Sequence, residues 1–90
     1  MKNFCEICDK YEEMTFHHLI PRFLHSKKYY KNRYEKSYMK NNGIYVCNMC
    51  HKSVHKFFTE KELGLYYNTK NKLLSTKKIR IYMEWAKKQK

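Results

Sequence analysis

Short apolar stretches alternate with strongly polar ones along this chain, and their spacing predicts a mixture of strands and helices. Residues 14–20 are largely apolar, aromatic or β-branched, which predicts a strand. Pro21 ends it, because proline has no N–H to donate to a ladder. A second short strand is expected at 44–46, directly after the turn signal at 41–43. Between the strands, residues 25–40 show no clear period and are interpreted as a long loop or partly helical insertion.

Helical spacing dominates the second half of the chain. Apolar or ligand-type residues between 48 and 58 recur at helical intervals. Thr59 and Glu62 form the ends of a capping box that opens another helix toward Tyr67. Thr76 is suited to cap a last helix. The apolar face of that helix comprises Ile79, Tyr82, Met83 and Ala86. Three aromatic side chains are assigned to the core: Tyr66, Tyr82 and Trp85.

The net charge of +12 is unevenly distributed along the chain. Residues 1–25 carry three basic and four acidic side chains, whereas residues 26–90 carry 17 basic and four acidic ones. Such asymmetry favours a polyanionic partner, either nucleic acid or an anionic membrane surface. No apolar run approaches the ~20 residues that span a bilayer, and the first residues lack a signal-peptide core. We therefore expect a cytoplasmic protein that binds nucleic acid and no membrane.

Two C-x-x-C pairs, Cys5 with Cys8 and Cys47 with Cys50, predict a zinc site. A chain of 90 residues forms one domain with a small core, which usually needs a disulfide or a metal. Cytosolic thiols stay reduced, and two such pairs complete a four-thiolate zinc shell. The alternative is a redox pair or two local disulfides, but no thioredoxin-like strand and helix surround either pair.

Histidines supply a second group of candidate ligands. His51 and His55 are four residues apart on one helical face and can chelate one ion together. His17 can supply a third imidazole, which leaves an open position for water or a phosphate oxygen. His18 follows His17 in the predicted strand, so the two side chains point to opposite faces. An imidazole that is not a ligand, with a pKa near neutrality, is suited to deprotonate water.

Together these motifs resemble the HNH endonucleases, in the variant whose ββα-metal core is braced by a four-cysteine zinc. The resemblance implies an α+β fold in which residues 1–90 form a single HNH domain. The ββα-metal (His-Me finger) core would cover about 4–58, and additional C-terminal helices would form an extension over about 59–90. That extension resembles small stand-alone bacterial and phage members more weakly. The matching segments are His17-His18-Leu19-Ile20-Pro21-Arg22, Asn42 and Cys47-x-x-Cys50-His51-x-x-x-His55.

The resemblance also implies a role for each matched residue. His18 corresponds to the general base that activates the attacking water. Asn42, five residues before Cys47, corresponds to the asparagine that orients the base, with Asn41 beside it as the alternative register. An imidazole set favours zinc, nickel or manganese over magnesium, so Mg²⁺, Mn²⁺, Ni²⁺ and Zn²⁺ all remain candidates. The catalytic-ion ligands would be His17, His51 and His55, and the structural-zinc ligands Cys5, Cys8, Cys47 and Cys50.

The expected activity is hydrolysis of DNA phosphodiester bonds by a monomer or weak dimer. Basic residues around the Tyr-rich insertion are expected to contact the backbone with little sequence readout. The alternative function is a non-catalytic, zinc-stabilised nucleic-acid-binding module or degenerate HNH domain. His18 discriminates between them, because a binding module has no use for a histidine beside a metal ligand. The expected phosphate contacts are Arg22, Lys27, Lys28, Lys31 and Arg33.

Overall fold

Three strands and six α-helices make up residues 1–89, the part of the chain that the computed structural model describes. The strands are β1 (Lys2–Phe4), β2 (Tyr11–His18) and β3 (Gly43–Cys47). A 3₁₀ turn (Arg22–Leu24) follows β2. The helices are α1 (Lys28–Lys31), α2 (Lys36–Asn41), α3 (Asn48–Phe57), α4 (Glu60–Tyr66), α5 (Lys70–Leu74) and α6 (Lys77–Lys87).

The strands form one antiparallel sheet in the order β1-β2-β3, so β2 is central. Its first half pairs with β1, where Tyr11 lies opposite Phe4. Its second half pairs with β3, where His17 lies opposite Ile44. β2 was predicted at 14–20 and is displaced toward the N-terminus. The exposed residues at the start of β2 are strand because β1 pairs with them. β1 itself has three exposed residues, so it lacks the alternation of buried and exposed positions that predicts a strand.

Gly43 allows β3 to approach β2 closely at the end of the sheet. It lies opposite His18 in the strand register. A Cβ at this position would overlap the carbonyl oxygen of His17 and the ring of Phe16. Any larger residue would therefore push the strands apart beside the two adjacent histidines.

The insertion between the strands is partly helical, as expected, and has its own small core. Tyr30 of α1 and Met39 of α2 are buried against Ile20 and Leu24, which follow β2. Leu65 of α4 packs against this cluster. The insertion is thus a packed element that holds its basic surface in place beside the end of β2.

α3 and α6 pack with the sheet in the larger core. The helix predicted at 48–58 is confirmed, as are the capping box at Thr59 and the cap at Thr76, whose hydroxyl accepts from the Ile79 N–H. α5 was not predicted. The core assignment is right for Tyr82 but wrong for Tyr66 and Trp85, which are 63% and 51% exposed because they lie outside the apolar seams of α4 and α6.

None of the helices within residues 1–89 is long and apolar enough to cross a membrane.

Candidate metal centres

Four buried cysteines converge between the first C-x-x-C turn (residues 5–8, the knuckle) and the start of α3. The sulfur atoms of Cys5, Cys8, Cys47 and Cys50 all lie within 4.8 Å of one another, and all four are free thiols. Cys8 Sγ and Cys47 Sγ are 3.8 Å apart. Zinc–sulfur bonds of about 2.3 Å in a tetrahedron require a sulfur separation of about 3.8 Å. The cluster therefore fits a structural Zn²⁺, and the redox or disulfide alternative loses support.

Backbone N–H groups are arranged around Cys5 as around a thiolate. The N–H groups of Ile7, Cys8 and Cys47 donate to Cys5 Sγ over 3.3–3.4 Å. Asp9 completes the knuckle with a left-handed φ of 67°, a conformation that Asp tolerates better than most residues. A hydrogen bond from Cys50 and these N–H groups lower the pKa of Cys5 to about 4, despite its burial.

Burial acts in the opposite direction on another thiol of the cluster. It raises the pKa of Cys8 to about 11. Four thiolates this close together and this well buried need a compensating cation. α3 begins at Asn48, directly after Cys47, so the positive end of its helix dipole lies beside the cysteine cluster and stabilises the thiolate charge.

Tyr82 joins the C-terminal helix to the cysteine cluster. Its hydroxyl donates to Cys50 Sγ over 3.4 Å. Burial and the neighbouring Cys50 raise the pKa of the Tyr82 phenol, so it keeps the proton that it donates. The ring also packs against Phe57, with ring centroids 5.6 Å apart. α6 therefore contributes a hydrogen-bond donor to a cysteine cluster whose members all lie before residue 51.

We expect Tyr82→Phe to hold zinc less firmly while keeping its ring packing. Losing one hydrogen bond of this kind lowers the unfolding free energy by about 1 kcal/mol, which corresponds to about fivefold in an equilibrium constant. Thermal unfolding and the rate of zinc transfer to a chromophoric chelator measure this effect. Tyr66→Phe is the matched control, because the Tyr66 side chain is exposed. Equal behaviour of the two variants would contradict a role for the Tyr82 hydroxyl.

Three histidines form a second cluster between β2 and α3. The candidate ligand nitrogens of His17, His51 and His55 lie within 4.8 Å of one another. Pairwise, the ring centroids are 5.1–5.3 Å apart. His17 is fully buried, and neither of its ring nitrogens has a hydrogen-bond partner among the described residues. A buried imidazole with two unsatisfied nitrogens is costly, and a metal ion bound at one of them removes part of that cost.

The electrostatics of this histidine cluster suit a cation-binding site. Burial and the charges of His55, His51 and His18 lower the pKa of His17 to about 3. Burial also lowers the pKa of His51, and the charges of His55 and His18 add to the effect. Neutral imidazoles are the form that coordinates metal. His55 is exposed, so the cluster opens to solvent on one side and leaves room for further ligands.

Thr15 lies beside the histidine cluster on the same face of β2 as His17. Its Oγ1 is 2.8 Å from His51 Nδ1 and donates to the Val46 carbonyl over 3.0 Å. Thr15 and Val46 are register partners across β2 and β3. The same hydroxyl therefore contacts both a candidate ligand and the strand that leads into the cysteine cluster.

His18 lies on the other face of β2 and is half-buried. Its ring packs against Phe16, with centroids 4.9 Å apart, and against His25, at 5.6 Å. Burial lowers the pKa of His18, and the positive charges of His25 and Arg22 act in the same direction. His18 is therefore neutral at physiological pH and free to accept a proton. The His25 Nε2–H donates to the Ile20 carbonyl over 2.7 Å, which fixes that ring in place.

Asn42 connects the start of β3 to the segments on either side of it. Its carbonyl oxygen accepts from the Leu19 N–H over 2.9 Å, directly after His18. Its side-chain amide donates to the Asn68 carbonyl over 3.1 Å. The neighbouring Asn41 is exposed in the last turn of α2. The contact beside His18 is therefore made by the Asn42 backbone carbonyl, while the Asn42 side chain bonds to the segment between α4 and α5.

A basic cavity of about 540 Å³ opens beside His25. Two of the basic residues singled out in the sequence, Arg22 and Lys31, line it. One acidic side chain accompanies the positively charged ones. The charged and titratable lining comprises Arg22, His25, Lys31, Glu35, Lys36 and Lys40.

The other three predicted phosphate contacts lie elsewhere on the insertion. The Lys27 ammonium is 4.7 Å from the centroid of the Phe23 ring. The Arg33 guanidinium stacks on Tyr29 at 3.6 Å and donates to its carbonyl over 3.2 Å. Lys28 is exposed at the start of α1. Arg33 is thus committed to a local contact, and the cavity brings only two of the five residues together.

Three residues at these sites were given no functional role from the sequence: Thr15, His25 and Tyr82. Thr15 was detectable, because strand residues two apart share a face and it precedes His17 by two. His25 follows a 3₁₀ turn whose direction no periodicity reveals. Tyr82 was recognised as core, but its contact with Cys50 depends on the packing of α6 on α3.

The comparisons with known proteins are sparse. The chain is 27% identical over 91 residues to the uncharacterized protein YisB of Bacillus subtilis (strain 168). The alignment covers 94% of this chain and 74% of YisB. This chain and YisB are distant homologues. No family model matches the chain, and no solved structure matches it significantly.

Proposed function

We propose that this protein is a metal-dependent DNA endonuclease of the HNH type, with a ββα-metal core formed by β2, β3 and α3. The buried, unsatisfied imidazole of His17 carries the proposal. It faces two further histidines of α3, while His18 occupies the opposite face of the same strand end. Two consecutive residues of one strand thereby present a metal ligand on one face and a separate imidazole on the other.

His17, His51 and His55 would hold a divalent ion, and their donor chemistry fits one. Three neutral imidazoles suit Zn²⁺, Ni²⁺ or Mn²⁺ better than Mg²⁺. When bound there, such an ion would supply Lewis-acid charge to the reacting phosphate. Burial of His17 fixes the position of the site relative to the sheet, and exposure of His55 gives a phosphodiester access to it.

His18 would act as the general base. Its lowered pKa favours the neutral form, and it is not part of the metal-ligand cluster. It lies close enough to His17 and His51 that protonating it would oppose protonation of either one. A water would give its proton to the His18 imidazole as its oxygen bonds to phosphorus and the P–O bond to the leaving oxygen breaks. Asn42 would restrain the chain on which His18 lies, through its backbone carbonyl, which accepts from the Leu19 N–H.

The basic cavity would bind the nucleic-acid backbone next to the reacting phosphate. Arg22 begins the 3₁₀ turn after β2, and its charge acts on His18, so this side of the cavity adjoins the proposed base. Lys31, Lys36 and Lys40 extend the positive surface along α1 and α2. Phosphate contacts of this kind position the substrate without reading its sequence.

We expect the triple variant Lys31→Ala, Lys36→Ala and Lys40→Ala to bind duplex DNA with a weaker salt dependence. Each lost phosphate contact reduces the slope of log K against log salt by about 0.9, so the slope should fall by about two to three. Fluorescence anisotropy over a salt series, without added catalytic metal, measures it.

The matched control removes three exposed lysines from the other end of the chain: Lys77→Ala, Lys87→Ala and Lys88→Ala. These residues belong to α6 and its C-terminal cap, and α6 packs in the larger core, away from the cluster beneath the cavity. The control should keep most of the wild-type slope. An equal fall in both variants would mean that the net charge, and not the cavity, binds DNA.

Supercoiled-plasmid cleavage across Mg²⁺, Mn²⁺, Ni²⁺ and Zn²⁺ tests the proposed activity. We expect nicking with at least one transition metal and its loss when the histidine cluster is mutated. DNA binding without nicking under every metal would favour the second candidate, a non-catalytic zinc-stabilised binding module or degenerate HNH domain. The net charge of +12 supports DNA binding in both cases, so only cleavage separates them.

A further inference from the structure

We infer that Thr15 is a positioning residue that holds His51 in the tautomer whose Nε2 is free to bind a metal ion. The inference rests on the metal site of the proposed function but not on nuclease activity. It arises from the Thr15 hydroxyl, which makes one hydrogen bond to a backbone carbonyl and another to an imidazole nitrogen.

The argument depends on the single hydrogen atom of the Thr15 hydroxyl. The Val46 carbonyl can only accept, so the bond of 3.0 Å between them uses that hydrogen. Thr15 Oγ1 is then an acceptor toward His51 Nδ1, 2.8 Å away. His51 must therefore carry its hydrogen on Nδ1, and its Nε2 is left with a lone pair.

This assignment matters because a neutral imidazole offers only one lone pair for coordination. A histidine ligand usually donates its other N–H to a carboxylate, a carbonyl or water, which fixes the ring and its tautomer. Here the Thr15 hydroxyl takes that role. Its hydrogen points to the Val46 carbonyl, so the hydroxyl accepts from His51 and does not donate to it. Without Thr15, His51 is free to place its hydrogen on Nε2, the nitrogen needed by the metal.

The same contact connects the two clusters. Val46 precedes Cys47, and Thr15 precedes His17 by two residues on the facing strand. The hydroxyl thus ties the β3 backbone beside the cysteine cluster to a ring of the histidine cluster. Its placement follows from strand register, since Thr15 and His17 share one face of β2.

Thr15→Val is the decisive variant, because it keeps the β-branched shape and removes the hydroxyl. We expect a loss of about 10- to 100-fold in metal affinity at the histidine cluster. Thr15→Ser keeps the hydroxyl and should bind within a few-fold of wild type. Ser53→Ala is the matched control, since its hydroxyl donates to the Met49 carbonyl of its own helix. Competition with a chromophoric chelator, in protein whose cysteine site is filled with zinc, measures the affinity.

Imidazole ¹⁵N chemical shifts provide a second readout that needs neither bound catalytic metal nor DNA. Wild type and Thr15→Ser should show His51 protonated on Nδ1, and Thr15→Val should show a shift toward the Nε2–H tautomer. The inference is wrong if His51 is protonated on Nε2 in wild type, or if Thr15→Val retains both the Nδ1–H signal and wild-type affinity. An absence of plasmid nicking would count against the proposed function and would leave both readouts unchanged.

Discussion

Replacing His18 with alanine is expected to reduce plasmid nicking by a factor on the order of 100 or more, because it removes the general base. The fold and DNA affinity should persist, since His18 is only half-buried and lies outside both candidate metal clusters. The measurement compares wild type and His18→Ala on supercoiled plasmid, with circular dichroism and DNA anisotropy as checks on folding and binding.

A metal titration separates loss of the base from loss of a ligand. His55→Ala removes a candidate ligand that is exposed, so its nicking should shift to higher metal concentration. The defect of His18→Ala should persist at saturating metal, because the three ligands remain. Nicking by His18→Ala at the wild-type rate would exclude His18 as the base, and recovery at high metal would reassign it as a ligand.

Cys8→Ala is expected to unfold the protein. Structural zinc contributes about 10–16 kcal/mol of apparent binding free energy in zinc-finger peptides, which is as large as the whole stability of a typical small protein, about 5–15 kcal/mol. Removing one of four ligands also leaves three buried thiols without their full shell. Far-UV circular dichroism and the zinc content of the purified protein measure the outcome.

Chelation supplies the control for the lost side-chain volume of Cys8→Ala. Stripping zinc from the wild-type protein should unfold it with every side chain intact, and adding zinc back should restore the fold. Met83→Ala truncates a half-buried residue that packs against the same core, and it should lower stability without releasing zinc. A soluble Cys8→Ala protein that nicks normally would exclude the bracing role of the cysteines.

A helix start or a ligand cluster was predictable from the sequence wherever the residues that form it are of a characteristic type and spacing. The capping box of Thr59 and Glu62 is made by the two residues that define it, and the spacing of His51 and His55 places both on one face of α3. The two cysteine pairs likewise indicated their own cluster. In the first two cases a short segment contains the whole physical cause, whereas the two cysteine pairs are distant in sequence and are matched by their shared affinity for zinc.

The other elements had no such motif to mark them. β1 exists because β2 pairs with it, and α5 begins at a Thr69 hydroxyl that accepts from the Lys72 N–H, without the acidic residue that would mark a capping box. The choice of Arg22 and Lys31 over Arg33 as cavity residues depends on how the insertion packs. The local cue was the four-residue spacing, which lets the Tyr29 ring cover the Arg33 guanidinium.

Cys50 and His51 are consecutive in α3, yet they belong to different clusters. This is possible because each residue turns an α-helix by about 100°, so neighbouring side chains leave the axis in different directions. One residue inserted between them would rotate both histidines of α3 away from His17 while leaving the cysteines in place. Surface segments accept added length far more easily. Added residues are therefore more easily accommodated in the insertion around residues 25–40. In α3, an added residue between Cys50 and His51 would separate the two clusters.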